Sequence, residues 1–194
     1  MNAHPKLSDY INSDCYRYAR KQGVREVVRL LRTSPGFRFT FVFRIASAMQ
    51  NSSNPIAILA RIAHRHYSLK YGIQIPISAV IGPGLLLPHF GGIVINSNAK
   101  IGSNCTILHG VTIGSVLTGK MAGCPLLNDS VYLGPGSAVV GNVSLGSGAM
   151  ISANAWVNFD VPEDALVIGN PGRIVKIYPD GRDLRTTNSI PALR

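Results

Sequence analysis

His89 and His109 are the side chains whose type and spacing best suit them to chemistry. Each lies two residues past an aliphatic, Leu87 and Ile107, in a stretch where aliphatics recur every six residues. Their separation is twenty residues, one turn of three hexads plus two. If three hexads make one coil, the imidazoles stand at equivalent corners of adjacent coils, about 4.8 Å apart along the backbone stack. Two converging imidazoles can move a proton or begin a metal site. A metal needs a third convergent ligand, and Cys105 is the nearest soft donor, at an angle the spacing leaves open. No metal is expected.

The rhythm that positions them runs through Ile75, Ile81, Leu87, Ile95, Ile101, Ile107 and Ile113, and resumes at Leu127, Leu133, Val139, Leu145, Ile151 and Val157. Helices repeat near 3.6 residues and half-buried strands near 2, so a period of six fits neither. It fits a solenoid of short strands and turns, three repeats to a triangular coil, with the aliphatic pointing inward. Two breaks interrupt it. Leu87 to Ile95 is eight residues, so two extra residues bulge just after His89. Ile113 to Leu127 is fourteen, read as an eight-residue loop between Ser115 and Cys124 because Thr118–Gly123 offers no inward aliphatic. A two-residue insert plus one unmarked repeat is the alternative. Insertions in solenoids map to one face, often the binding face.

The 194 residues allow one main domain with an appendage. The net charge of +10 is uneven: residues 1–75 hold twelve Lys/Arg against three Asp/Glu, and residues 76–165 hold two against four. Helices are expected over residues 7–22 (Ser8 as cap, with a stripe of Tyr10, Ile11, Cys15, Tyr18 and Ala19), 24–31, 37–50 and 56–71. The last two are basic and amphipathic. Their apolar faces could pack on the solenoid or a neighbouring subunit, or make peripheral contact with an anionic membrane face; packing is favoured. His64 and His66 are read as surface residues. No zinc-finger spacing or RNA-binding aromatic motif accompanies the charge, so no nucleic-acid partner is expected. Three unpaired cysteines and no evident signal peptide suggest a cytoplasmic protein, possible at the inner face of the membrane. The tail beyond Tyr178 reads as loose.

The hexads, Pro88-His-Phe-Gly-Gly-Ile-Val-Ile95, Ile107-Leu-His-Gly-Val-Thr-Ile-Gly114, the loop and Ile168-Gly-Asn-Pro-Gly-Arg-Ile-Val175 together resemble the hexapeptide-repeat acyltransferases, in the serine acetyltransferase-like branch that includes polysaccharide O-acetyltransferases. The resemblance spans about residues 72–177. It implies a mainly β protein, a left-handed parallel β-helix of hexapeptide repeats with a short α-helical N-terminal region. The divisions are a basic helical segment 1–71, a β-helix 72–165 with an extruded loop near 115–125, and a C-terminal turn and tail 166–194. It further implies an acetyltransferase that takes acetyl-CoA as acyl donor and works as a homotrimer with sites between subunits. His89 matches the family's general base; His109 is a second base, a substrate contact or a structural partner. Gln74, Gly91 and Cys124 fall at substrate positions. Gly114, Lys120, Gly134, Ala153, Gly169, Pro171, Arg173 and Lys176 fall along the acetyl-CoA path. Gly91, Gly92, Gly110 and Gly114 are candidate oxyanion donors.

Two positions depart from the serine enzymes. Gln74 stands where they carry Asp, and Cys124 where they carry His before the proline that re-enters the helix. Glutamine is no counter-ion for an ammonium group. The long acidic helical domain is replaced by a short basic one, and the chain ends Ile190-Pro-Ala-Leu-Arg194 rather than in Ile. A carbohydrate hydroxyl is therefore the expected acceptor, in capsule, lipopolysaccharide or exopolysaccharide biosynthesis. A serine O-acetyltransferase is the alternative, and a non-catalytic scaffold or metal-binding β-helix a distant third.

Overall fold

The computed structural model describes residues 6–178. The tail beyond Tyr178, expected to be loose, and the Ile190–Arg194 terminus lie outside the described residues. Four helices come first: α1 (Leu7–Ala19), α2 (Val24–Thr33), α3 (Pro35–Ala48) and α4 (Pro55–Tyr71). Their ends follow local chemistry. The α1 cap is Lys6 rather than Ser8, because the Asp9 carboxylate accepts from the Lys6 amide at 2.8 Å. α1 stops at Arg20, which turns left-handed (φ 55). Pro35 and Gly36 open α3 instead of merely breaking the chain, with the Phe37 amide donating to Ser34 Oγ. Asn54 caps α4 by accepting from the Ala57 amide at 2.7 Å.

The rest winds as a left-handed parallel β-helix of triangular section. The first face stacks Ile73–Gln74, Ile93–Ile95, Thr112–Gly114, Ala138–Val140 and Trp156–Val157. The second stacks Val80–Ile81, Lys100–Ile101, Leu126–Leu127 and Ser144–Leu145. The third stacks Thr106–Ile107, Tyr132–Leu133, Met150–Ile151 and Ala165–Ile168, with Arg173–Ile177 returning antiparallel. Registers place like on like: Ile95, Ile113, Val139 and Val157 stack inward on one face, and Ile81, Ile101, Leu127 and Leu145 on the next. All eight are buried. Each coil thus continues its neighbour's hydrophobic core, which is how two-residue strands become stable.

Where helices meet the solenoid, burial differs from expectation. The α1 stripe packs in part, with Cys15 buried beside Leu30 and Phe37 and Tyr18 and Ala19 against them, but Ser13, Asp14 and Arg17 are buried as well. Asp14 and Arg17 turn inward because backbone groups of the first coil need partners there. His64 is not a surface residue either. Its ring packs against Phe39 and Phe43, with centroids 5.4 and 6.1 Å away. On α4, Ala57, Ala60 and Tyr71 face the core while Ile56, Leu59, Ile62 and Leu69 point outward, away from the single chain. Among the described residues no helix is long and apolar enough to cross a membrane.

Burial holds His64 below the ordinary imidazole range. Below about pH 6.5 the unfolded chain takes a proton at this ring that the folded chain resists. That contribution to stability is therefore intact above this pH and lost as the pH falls. Thermal melts across that range should show Tm dropping on the acid side in the wild type, and dropping less in His64→Gln.

Candidate active site

Each third-face strand ends at a corner leading onto the first face of the next coil. There the backbone turns left-handed, at Gly92 (φ 66), Gly110 (φ 71), Gly136 (φ 67) and Asn154 (φ 57), and Gly72 (φ 63), the C-cap of α4, takes the equivalent place ahead of the first coil. The corners also touch: a Cβ on Gly92 would lie 3.3 Å from Gly110 Cα, and one on Gly110 3.3 Å from Gly136 Cα. Glycine satisfies both the dihedral and the close approach. The first corner is longer than its neighbours by Phe90 and Gly91. Phe90 anchors this bulge on Tyr71, with ring centroids 5.3 Å apart.

His89 and His109 stand on this edge in consecutive coils. Their ring centroids are 6.0 Å apart and their planes cross at 84°. Both are exposed in the single chain, and neither ring makes a hydrogen bond among the described residues. Cys105 does not join them. Its Sγ lies 3.3 Å from Asn128 O inside the core, and burial pushes the thiol up to about 12. Among the described residues no group of three metal-ligating side chains forms.

Further along the same edge come Gly134, Ala153, Gly169 and Pro171. From the His89 corner to the Gly169 corner is four coil spacings, about 19 Å, a span an extended pantetheine arm can cover. The Gly169–Gly172 turn, with a cis Asn170–Pro171 bond, docks on the Trp156 backbone, where the Trp156 amide donates to Gly169 O and the Gly172 amide to Trp156 O. The Trp156 ring faces outward rather than packing in the core. Arg173 and Lys176 are exposed on the returning strand. Gly134 is buried. Its missing Cβ makes room for the backbone of Ala153 in the next coil, 2.7 Å from where that Cβ would sit, rather than for a ligand.

The oxyanion candidates divide. The Gly110 amide is spent on Gly91 O at 2.8 Å, so it is not a free donor. The amides of Gly91 and Gly92 make no hydrogen bond among the described residues. Gly114 ends its first-face strand, and its carbonyl accepts from the Gly141 amide.

Gln74 is exposed on the first face, directly beside Val94, and its side chain makes no hydrogen bond among the described residues. The loop after Gly114 is a small hairpin closed by a Val116–Gly123 bridge, with Lys120 exposed on it. Cys124 closes its base, with Sγ 3.3 Å from Asn96 Oδ1, while Asn96 Nδ2 donates to Ser115 Oγ. Asn96 thus ties both ends of the loop, a role the sequence reading missed. Its signal was an Asn directly after the inward Ile95. Asn96 follows the first-face strand and His89 precedes it, so one full face separates Cys124 from His89 within a chain. The structure does not bring them together.

No protein-family model matches the chain. It is 34% identical over 163 residues to the serine acetyltransferase of Bacillus licheniformis, covering 83% of this chain and 73% of that protein. It is 37% identical over 147 residues to serine acetyltransferase 2 of Arabidopsis thaliana, covering 75% of this chain but only 44% of the plant protein. The crystal structure of Neisseria gonorrhoeae serine acetyltransferase in complex with serine superposes with a TM-score of 0.73 at 31% identity, covering 88% of this chain and 69% of that one. These relatives overturn the carbohydrate acceptor expected from Gln74 and Cys124. That expectation rested on Gln74, Cys124, the short basic helical segment and the chain's ending, whereas the histidine edge, the glycine stack and the Gly-Asn-Pro-Gly turn are all in place. By its likeness to the Bacillus protein over most of both chains and by superposition, this chain belongs to the serine acetyltransferase family of hexapeptide-repeat acyltransferases.

Proposed function

We propose that the chain is a serine O-acetyltransferase, moving the acetyl group of acetyl-CoA to the hydroxyl of L-serine. The observation that supports this most is the single edge holding His89 and His109 at one end and the Gly169–Pro171 turn at the other. A serine hydroxyl is a poor nucleophile near neutral pH. His89 as general base takes its proton while the oxygen attacks the thioester carbonyl. The unspent amides of Gly91 and Gly92 lie in the adjacent bulge to meet the oxyanion. When the tetrahedral intermediate collapses, the C–S bond breaks and the proton on His89 passes to the departing thiolate. His109 lines the same edge as a second contact to the acceptor. Ala153, Gly169 and Pro171 form the groove wall along the acyl donor, and Arg173 and Lys176 supply charge for its phosphates.

Gln74 stands on the first face just past Gly72, which abuts Gly92, whereas Cys124 and Lys120 complete the site only if copies of the chain assemble. In a homotrimer, the loop of one protomer supplies Lys120 and Cys124 to the His89 edge of the next. The separation of Cys124 from His89 within a chain supports that arrangement.

The test is thiol release from acetyl-CoA with L-serine as acceptor, beside L-threonine and a hexose. Serine-dependent release well above both controls is expected. Release with no dependence on serine would overturn the assignment.

A further inference from the structure

The first coil of a solenoid has an edge with no preceding coil to pair with. Its third-face segment, Leu86–Leu87, shows the consequence. Leu86 faces the second coil, where its amide donates to Cys105 O and its carbonyl accepts from the Ile107 amide, both at 3.0 Å. Leu87 faces the other way, and an unpaired backbone pair there would be costly if buried. One α1 side chain satisfies both groups. Tyr18 Oη accepts from the Leu87 amide at 2.9 Å and donates to Leu87 O at 3.2 Å. The Tyr18 ring is set edge-on against Phe37, with centroids 5.4 Å apart. Gly36 abuts the same carbonyl, where any Cβ would collide with Leu87 O.

Leu87 is two residues before His89, and Pro88 lies between. Proline fixes its own φ and holds the residue before it extended. The orientation imposed at Leu87 therefore passes to His89 with little slack added at Pro88. On the far side, Phe90 is pinned on Tyr71. The imidazole is thus held between two anchors supplied by the helical segment.

We propose that Tyr18 is a positioning residue for His89: its hydroxyl stands in for the absent coil and fixes the strand that aims the imidazole along the acyl-transfer edge. This rests on His89 being the general base. Tyr18→Phe keeps the ring and its contact with Phe37 but leaves both Leu87 groups unpaired. Because small misplacements of a catalytic group can cost up to about 100-fold in rate, kcat for serine should fall about 10-fold or more. KM for acetyl-CoA should stay within about 2-fold, since the donor groove runs toward the other end of the helix. Hydrogen exchange at the Leu87 amide should accelerate.

Assays run well below each variant's Tm separate positioning from stability. A lower Tm with unchanged kcat would overturn the proposal, as would unchanged exchange at Leu87. The parallel variant His89→Ala keeps the two readings apart. If it stays active, the general-base assignment fails; if it is inert while Tyr18→Phe is fully active, only the positioning role fails.

Discussion

His89→Ala should lower kcat with L-serine about 10²- to 10⁴-fold, the range that a positioned general base contributes. The argument is geometric. His89 sits on the longer first corner, beside the Gly91 and Gly92 amides that have no partner among the described residues, whereas His109 sits on an ordinary corner whose glycine amide is already used. Deprotonation and oxyanion stabilisation therefore meet at the first corner. KM for acetyl-CoA should hardly move, because the donor groove toward Gly169 is untouched. His109→Ala should cost less and should raise KM for serine more than it lowers kcat. The reverse order, with His109→Ala inert and His89→Ala active, would exchange the roles of the two rings.

Much of this geometry was legible in the sequence because a solenoid repeats its core position. Once Ile95, Ile113, Val139 and Val157 are recognised as equivalent, the twenty-residue separation of His89 and His109, one coil of eighteen plus the two-residue bulge, places them on one edge. The structure confirms that juxtaposition at 6.0 Å. The same arithmetic places the loop, because missing inward aliphatics mark where the chain leaves the core. What stayed hidden lies where partners are backbone groups. Asp14, Arg17 and Arg44 look like solvated helix residues, yet all three are buried against the first coil around Ile81–Leu85, far along the chain from each of them. Nothing in their spacing announces an unpaired coil edge. His64 was misread for a related reason: which side of α4 faces the phenylalanines depends on how α3 docks. The carbohydrate acceptor expected from Gln74, Cys124, the short basic helical segment and the chain's ending is overturned by the serine acetyltransferase relatives, because those departures do not by themselves define an acceptor pocket.

Those polar helix residues lead to the largest expected effect on stability. Asp14→Ala should destabilise the fold by about 3–5 kcal/mol in chemical denaturation, the cost of breaking a buried pair. Asp14 is 1% exposed and Arg44 5%, with Nε–Oδ2 at 2.9 Å and Nη2–Oδ1 at 3.1 Å. Asp14 Oδ1 also accepts from the Gly84 and Leu85 amides at 2.8 Å each. Truncation therefore leaves a buried guanidinium without its counter-charge and two backbone donors without an acceptor. Arg44 keeps its bonds to Ile81 O and Gly82 O, so the cation stays in place rather than escaping to water. Asp14→Asn should cost less, since an amide oxygen can still serve the two backbone donors. The double variant Asp14→Leu with Arg44→Met should cost less than the sum of the singles, because it removes the stranded charge together with its partner. A loss below about 1 kcal/mol for Asp14→Ala, the level of an exposed ion pair, would mean that this pair does not close the first coil. The helical segment would then be an appendage rather than the coil's missing neighbour.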